Sequence, residues 1–197
     1  MRIKRALAIG ATLAALTGAA GCGGDDGNDK SSSGGGKSSA SAGSTEETAG
    51  SSLPKASDMA SVSYYLNKYT PCLDLATGAD YDANHDADNS AWGADEAADP
   101  SWSIKERGVC TDESGHPIAL LSVQDMEKFQ TAVKKDGADF LVGQDFAVVP
   151  VGDTALQALQ KSGLRYLTCD ADFSVPSGFT KEAGAVDGCV LSDYFPS

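Results

Sequence analysis

The run HPIALLSVQDMEKFQTAVKKDGADFLVGQDFAVVPVGDTALQALQKSGLRYLTC, residues 116–169, decides the fold. The apolar stretch His116 to Val123 follows Asp112-Glu113-Ser114-Gly115, a turn sequence, and Trp102 to Thr111 precedes that turn, so the two stretches predict a β-hairpin. Ser122 and Asp125 offer a capping box for a helix whose apolar stripe is Met126, Phe129 and Val133 and whose stop is Gly137. Asp139 to Val142 and Phe146 to Val151 read as two strands joined across Gly143-Gln144-Asp145. Asp153 then caps a shorter helix carrying Leu156 and Leu159 and ending near Gly163, and a last strand covers Arg165 to Cys169. From His116 onward the order is strand, helix, strand, strand, helix, strand. That is the order of a split β-α-β, or ferredoxin-like, unit in an α+β domain with an antiparallel sheet. Both helices are expected on one sheet face, with the 102–111 strand added at an edge. Such a fold hosts many activities and by itself implies none.

Outward from this run, the folded domain is expected over 56–197, long enough for one core. It opens with a helix capped by Ser57 or Asp58, with a stripe of Met59, Val62 and Leu66 and an end at Thr70-Pro71. Residues 77–101, rich in Asp, Ala and Asn with Tyr81 and Trp92 as the large aromatics, read as a long acidic loop. Phe173 to Ser197 is loop-rich, with Val190 and Leu191 as one further short pairing.

Before the domain, Gly23 to Lys55 is Gly, Ser, Ala, Thr, Asp and Glu with Leu53 as its one large apolar residue. A coil of this length reaches roughly 30 Å and cannot bury a core, so 22–55 reads as a disordered tether. Its Gly36-Lys37-Ser38 lacks the upstream glycine and preceding strand of a phosphate loop. The first 21 residues read as a secretory signal: a basic start at Arg2, Lys4 and Arg5, an apolar run from Ala6 to Leu16 too short to span a bilayer, then Ala19-Ala20-Gly21 leading into Cys22. Small residues directly before a cysteine, followed by a flexible tract, form a lipobox, with Cys22 as the lipidated residue. Ala19 stands where Leu or Val is usual, which lowers the expected efficiency of processing. A diacylglyceryl group supplies the two chains that stable anchoring requires.

Removal of the signal leaves 12 basic against 28 acidic side chains, a formal charge of −16. Such a charge repels polyphosphate backbones and anionic headgroups, which argues against nucleic-acid binding and electrostatic membrane adsorption. Four cysteines remain: Cys72, Cys110, Cys169 and Cys189. An even number outside the cytoplasm favours two disulfides in one of three connectivities. Cys72 with Cys110 and Cys169 with Cys189 join neighbouring elements in the order above. A thiolate metal site finds no C-x-x-C spacing and only two histidines.

Asp80, Asp82, Asn84, Asp86 and Asp88 place oxygen ligands at alternate positions, which suits calcium. Against an EF-hand, His85 stands where the glycine belongs and Ala91 where the bidentate glutamate belongs. The alternative is a solvated acidic loop. Trp92, Trp102 and Tyr81 read either as a platform for envelope sugars or as rings pinning the loop to the core. His85 and His116 lack the company of a nucleophile motif. Asp170 and Asp172, at i and i+2 on an extended segment, point apart rather than forming a glycosidase pair. Asp145 reads as turn chemistry, and Lys105 and Arg107 as exposed charges on an edge strand or holders of an anionic ligand.

The run from Ile118 to Leu167, with Leu141-Val142-Gly143-Gln144-Asp145-Phe146-Ala147-Val148-Val149 between a Met/Phe helix and a Leu156/Leu159 helix, resembles the uncharacterised small secreted lipoproteins of actinobacteria. They share the plan of lipobox, Gly/Ser-rich tether and small cysteine-containing α+β domain. The resemblance implies a high-GC Gram-positive source and attachment to the outer face of the cytoplasmic membrane; it carries no catalytic residues and implies no substrate. The expected function is a non-enzymatic binding or interaction module of the envelope, acting on an envelope protein or a small ligand. A cell-envelope hydrolase and a calcium-dependent module are the alternatives. Two lobes around a cleft, as in solute-binding proteins, would need more than this domain's length.

Overall fold

The computed structural model describes residues 53–84 and 90–196; the signal, Cys22 and nearly all of the tether lie outside these, as do His85, Asp86 and Asp88. Eight strands form one antiparallel sheet: β1 Leu73–Thr77, β2 Ile104–Thr111, β3 Pro117–Val123, β4 Phe140–Val142, β5 Phe146–Pro150, β6 Arg165–Thr168, β7 Lys181–Ala183 and β8 Val190–Ser192. Their spatial order is β1-β2-β3-β5-β4-β6-β8-β7. The helices are α1 Met59–Leu66, α2 Asp80–Ala83, α3 Ala94–Ala98, α4 Met126–Asp136 and α5 Asp153–Leu159, with a 3-10 turn at Pro100–Trp102. No helix among the described residues is long and apolar enough to cross a membrane.

The domain is therefore α+β with an antiparallel sheet, but its four central strands do not follow the expected ferredoxin-like order. The reason lies in β2, which pairs with β3 from Ile104↔Val123 to Thr111↔Pro117 and so occupies the flank where β6 would have closed the unit. Instead β6 pairs with β4 on the far side. Both crossovers, β3-α4-β4 past β5 and β5-α5-β6 past β4, then advance in the same direction across the sheet from strands of opposite sense. Right-handed connections of that kind must put their helices on opposite faces. The packing agrees, correcting the expectation of helices on one face. Ile118, Leu120, Leu141, Phe146 and Val148 face α1 and α5, while Ala119, Leu121, Phe140, Val142 and Ala147 face α4.

The local signals explain the helices. Asp58 caps α1 by accepting from Ser61 N at 2.8 Å, and Met59, Val62 and Leu66 are buried as expected. The helix lies close on the sheet because β2 offers Gly108 beneath it: a Cβ there would stand 2.9 Å from Met59 Cγ. Asp125 alone caps α4, through Glu127 N and Lys128 N, and Gly137 ends it in the left-handed region. Ser122 is a buried strand residue, not part of a capping box. Asp153 is the first helical residue of α5 and Gly152 its cap. Both expected disulfides form: Cys72–Cys110 ties the start of β1 to β2, and Cys169–Cys189 ties the end of β6 to the start of β8.

Candidate functional site

Two strands, β1 and β7, carry no local signal in the sequence, and β1 changes the meaning of Arg107. Because β1 pairs outside β2, the latter is not an edge strand. Arg107 is 4% exposed and shares its face with Val109, pointing into the acidic segment that crosses the α4 side of the sheet. Its guanidinium makes a fork with Asp82, Nη1 donating to Oδ2 at 2.7 Å and Nη2 to Oδ1 at 3.1 Å. Nε donates to the carbonyl of Trp92 at 2.9 Å, Nη2 to that of Ala91 at 3.2 Å, and Nη1 reaches that of Gly78 at 3.5 Å. A guanidinium has five N–H donors, and here they meet a carboxylate and three carbonyls from the two ends of one segment. Arg107 is thus a clamp, with no donor left for an anionic ligand.

The clamp gives the acidic segment internal structure that its composition did not suggest. Gly93, at φ 98°, turns the chain immediately above the guanidinium into α3. Asp99 accepts from Ser101 N at 2.8 Å and, with Pro100 following, starts the 3-10 turn that delivers Trp102. Trp102 and Tyr81 are buried, and Trp92 is half-buried with its ring edge-on to Trp102 at 5.1 Å and to Phe140 at 4.8 Å. Phe129 of α4 completes the cluster, 5.0 Å from Phe140. Of the two readings of these aromatics, packing is the observed one; Tyr81 and Trp102 have no open ring face for a sugar.

Two clefts flank the α3–3-10 segment. One, of about 360 Å³, lies between it and β2, with Ala94, Ala97 and Ala98 as an apolar wall and Asp82, Lys105 and Glu106 as polar groups. The other, of about 300 Å³, lies towards α4 and is lined by Asp99, Ser101, Trp102, Thr131, Lys135 and Asp136. Ser101 donating to Asp99 holds that carboxyl below the usual range, the reverse of what a general acid needs.

The alternate-oxygen motif is only partly visible. Asp80 and Asp82 sit on α2, Asp82 is engaged by Arg107, and Asn84 Nδ2 donates back to the Asp80 carbonyl at 2.7 Å. No group of three or more metal-ligating side chains occurs among the described residues. Asp170 and Asp172 are exposed turn acids, the first accepting from the second's N–H at 2.9 Å. Asp145 does more than make a turn: its Oδ1 accepts from Ala56 N at 2.9 Å, fixing where the chain enters the domain.

His116 lies outside both clefts, its Nδ1 3.6 Å from Asp112 Oδ2. Asp112, a turn residue by its sequence context, is buried. Its Oδ1 accepts from Ser114 N and His116 N, whereas Oδ2 has no hydrogen-bond partner and presses against Gly152. Among protein-family models, curated proteins and solved structures, none matches the chain.

Proposed function

We propose that this protein is a lipid-anchored, extracytoplasmic and non-enzymatic binding module of the cell envelope, whose ligand-facing surface is the clamped segment over β2. The signal and Cys22 support the location, as do two disulfides, which persist in oxidising compartments. The observation that carries the binding reading is the Arg107 clamp. It spends a buried, fully satisfied cation on holding an acidic surface segment in place, and the two clefts are formed by that segment. A rigid scaffold presenting a fixed irregular segment is the usual arrangement of a binding surface. Long tethering raises the effective concentration of such a surface near membrane partners.

The reading is tested with the unlipidated chain by thermal melting against N-acetylated amino sugars, muropeptides and amino acids, beside an Ala97→Trp variant that fills the larger cleft. A saturable rise lost in the variant supports it. Absence of any rise, together with unchanged capture of envelope proteins by wild type and variant, would remove the clefts as the site. A calcium-dependent form of the same module predicts a melting temperature higher in millimolar calcium than in chelator, with the difference abolished in Asp86→Ala/Asp88→Ala. Equal melting in both conditions removes it.

A further inference from the structure

Among the described residues, three of the five exposed large hydrophobic side chains fall within one stretch of ten: Tyr64, 72% exposed, Tyr69, 37%, and Leu73, 49%. The buried stripe Met59, Val62 and Leu66 faces the sheet, and Tyr65 donates to the Ser162 carbonyl. The outward side chains at the end of α1 are thus fixed on a rigid base. Asn67 Oδ1 accepts from Cys72 N at 3.0 Å, holding the turn after the helix in place. Lys68 Nζ stands 5.5 Å from the centre of the Tyr64 ring and 5.9 Å from that of Tyr65, and the Tyr65 and Tyr69 rings are 5.5 Å apart, so these four side chains form one contiguous aromatic and cationic surface, with Leu73 exposed four residues on from Tyr69.

We propose that this end of α1 rests on the lipid bilayer, as a second, non-covalent contact beside the anchor. Tyrosine is suited to the headgroup layer, where its ring is apolar and its hydroxyl wet, and a lysine beside it can extend its ammonium to the surface. The local charge does not oppose it: Leu53 to Asp74 carries Lys55 and Lys68 against Asp58 and Asp74, balanced in a chain that is otherwise strongly acidic. Position agrees. The chain enters the domain at Pro54, whose carbonyl accepts from Gln144 N, and α1 is the first element after it. Thirty residues separate Cys22 from Leu53, and a Gly/Ser-rich chain of that length would reach roughly 30 Å if it were a coil, more than the ~12 Å length of the helix. Anchoring makes the contact intramolecular, so a small patch suffices. The inference rests on the Cys22 anchor of the proposed function.

The test separates the two. The full mature chain is attached to vesicles of phosphatidylcholine and phosphatidylglycerol either by its own lipid or by a maleimide phospholipid coupled to the Cys22 thiol. Tyrosine nitration is then mapped by mass spectrometry against the free chain. The expected result is several-fold slower nitration of Tyr64 and Tyr69 in both anchored forms, with Tyr194 unchanged and protection lost in Lys68→Glu/Leu73→Ser. Free-chain rates at Tyr64 and Tyr69 in the maleimide-anchored form would overturn the contact, as would equal protection of Tyr194. Protection that appears only when an envelope protein fraction is added would also overturn it, assigning the patch to a protein. Absence of a diacylglyceryl mass on Cys22 bears on the anchor alone.

Discussion

Single residues carry two of the decisive features, and both are buried polar groups. Arg107 is satisfied on every side, so its removal strands Asp82 and three carbonyls at once. Arg107→Ala is expected to cost about 3 kcal/mol, the lower end for breaking a buried pair because Asp82 keeps some access to water. Arg107→Lys retains the charge but not the fork and should lose less. Urea unfolding at unchanged m-value checks this; a loss under 1 kcal/mol for the alanine variant would mean that the segment holds itself. Asp112 is the opposite case, a carboxylate oxygen with no donor, closed in by the backbone of Gly152. A Cβ at position 152 would lie 2.7 Å from Asp112 Oδ2 and 3.0 Å from His116 Nδ1. Gly152→Ala should therefore destabilise by about 1–3 kcal/mol through overpacking. Combined with Asp112→Ala, the losses should be less than additive, and strict additivity in the double-mutant cycle would show that the clash is elsewhere.

At the scale of elements, the sequence was legible wherever a local signal sufficed. Asp58, Asp125 and Gly137 mark helix ends by the hydrogen bonds and φ values they supply. The hairpin at Asp112-Glu113-Ser114-Gly115 closes with Gly115 at φ 80°. The cysteine pairing followed from which elements adjoin. What misled was treating β3 and β5 as one-sided strands. Pro117–Val123 and Phe146–Pro150 are buried at every position, and such unbroken apolar runs signal cover on both faces. Lys181–Ala183 was invisible because it is exposed throughout and has no apolar residue but alanine; β8 alone places it. Arg107 was misread for a non-local reason, since nothing in its own strand records that β1 pairs outside it. The same non-locality makes the C-terminal edge dependent on its bridge. Cys169–Cys189, at a sequence separation of 20, encloses all of β7. Replacing both with alanine should cost about 3 kcal/mol. In hydrogen exchange, β7 and β8 should lose protection first while β2, β3 and β5 keep theirs; uniform loss across the sheet would contradict this order.

For the molecule as a whole, stability should fall at both ends of the pH scale, for different reasons. Asp58 and Asp99 are held below 3.8 chiefly by the N–H groups of Ser61 and Ser101. Asp193, pushed up by partial desolvation, is still held low by donation from Thr180 and by Arg165. Carboxyls lowered in the folded state contribute stability that is fully present above their unfolded pKa and is lost as pH falls through the lower folded values. The acid limb should therefore begin near pH 4 and stay shallow, since all three groups are close to solvent. Tyr166 works in the other direction: burial, then the Asp139 carboxylate, raise its hydroxyl above the ordinary 10.0. The unfolded chain gives up this proton above pH 10 while the folded chain keeps it, so stability is complete below that pH and declines above it by about 1.4 kcal/mol per pH unit. Burial raises Tyr81 as well. In the folded domain both hydroxyls should ionise, in absorbance at 295 nm, only above the ordinary tyrosine range. Tyr166→Phe, which has no proton to lose, should flatten the alkaline limb of melting temperature against pH and leave the acid limb in place. An alkaline limb of unchanged slope in that variant would assign the loss to general charge repulsion instead.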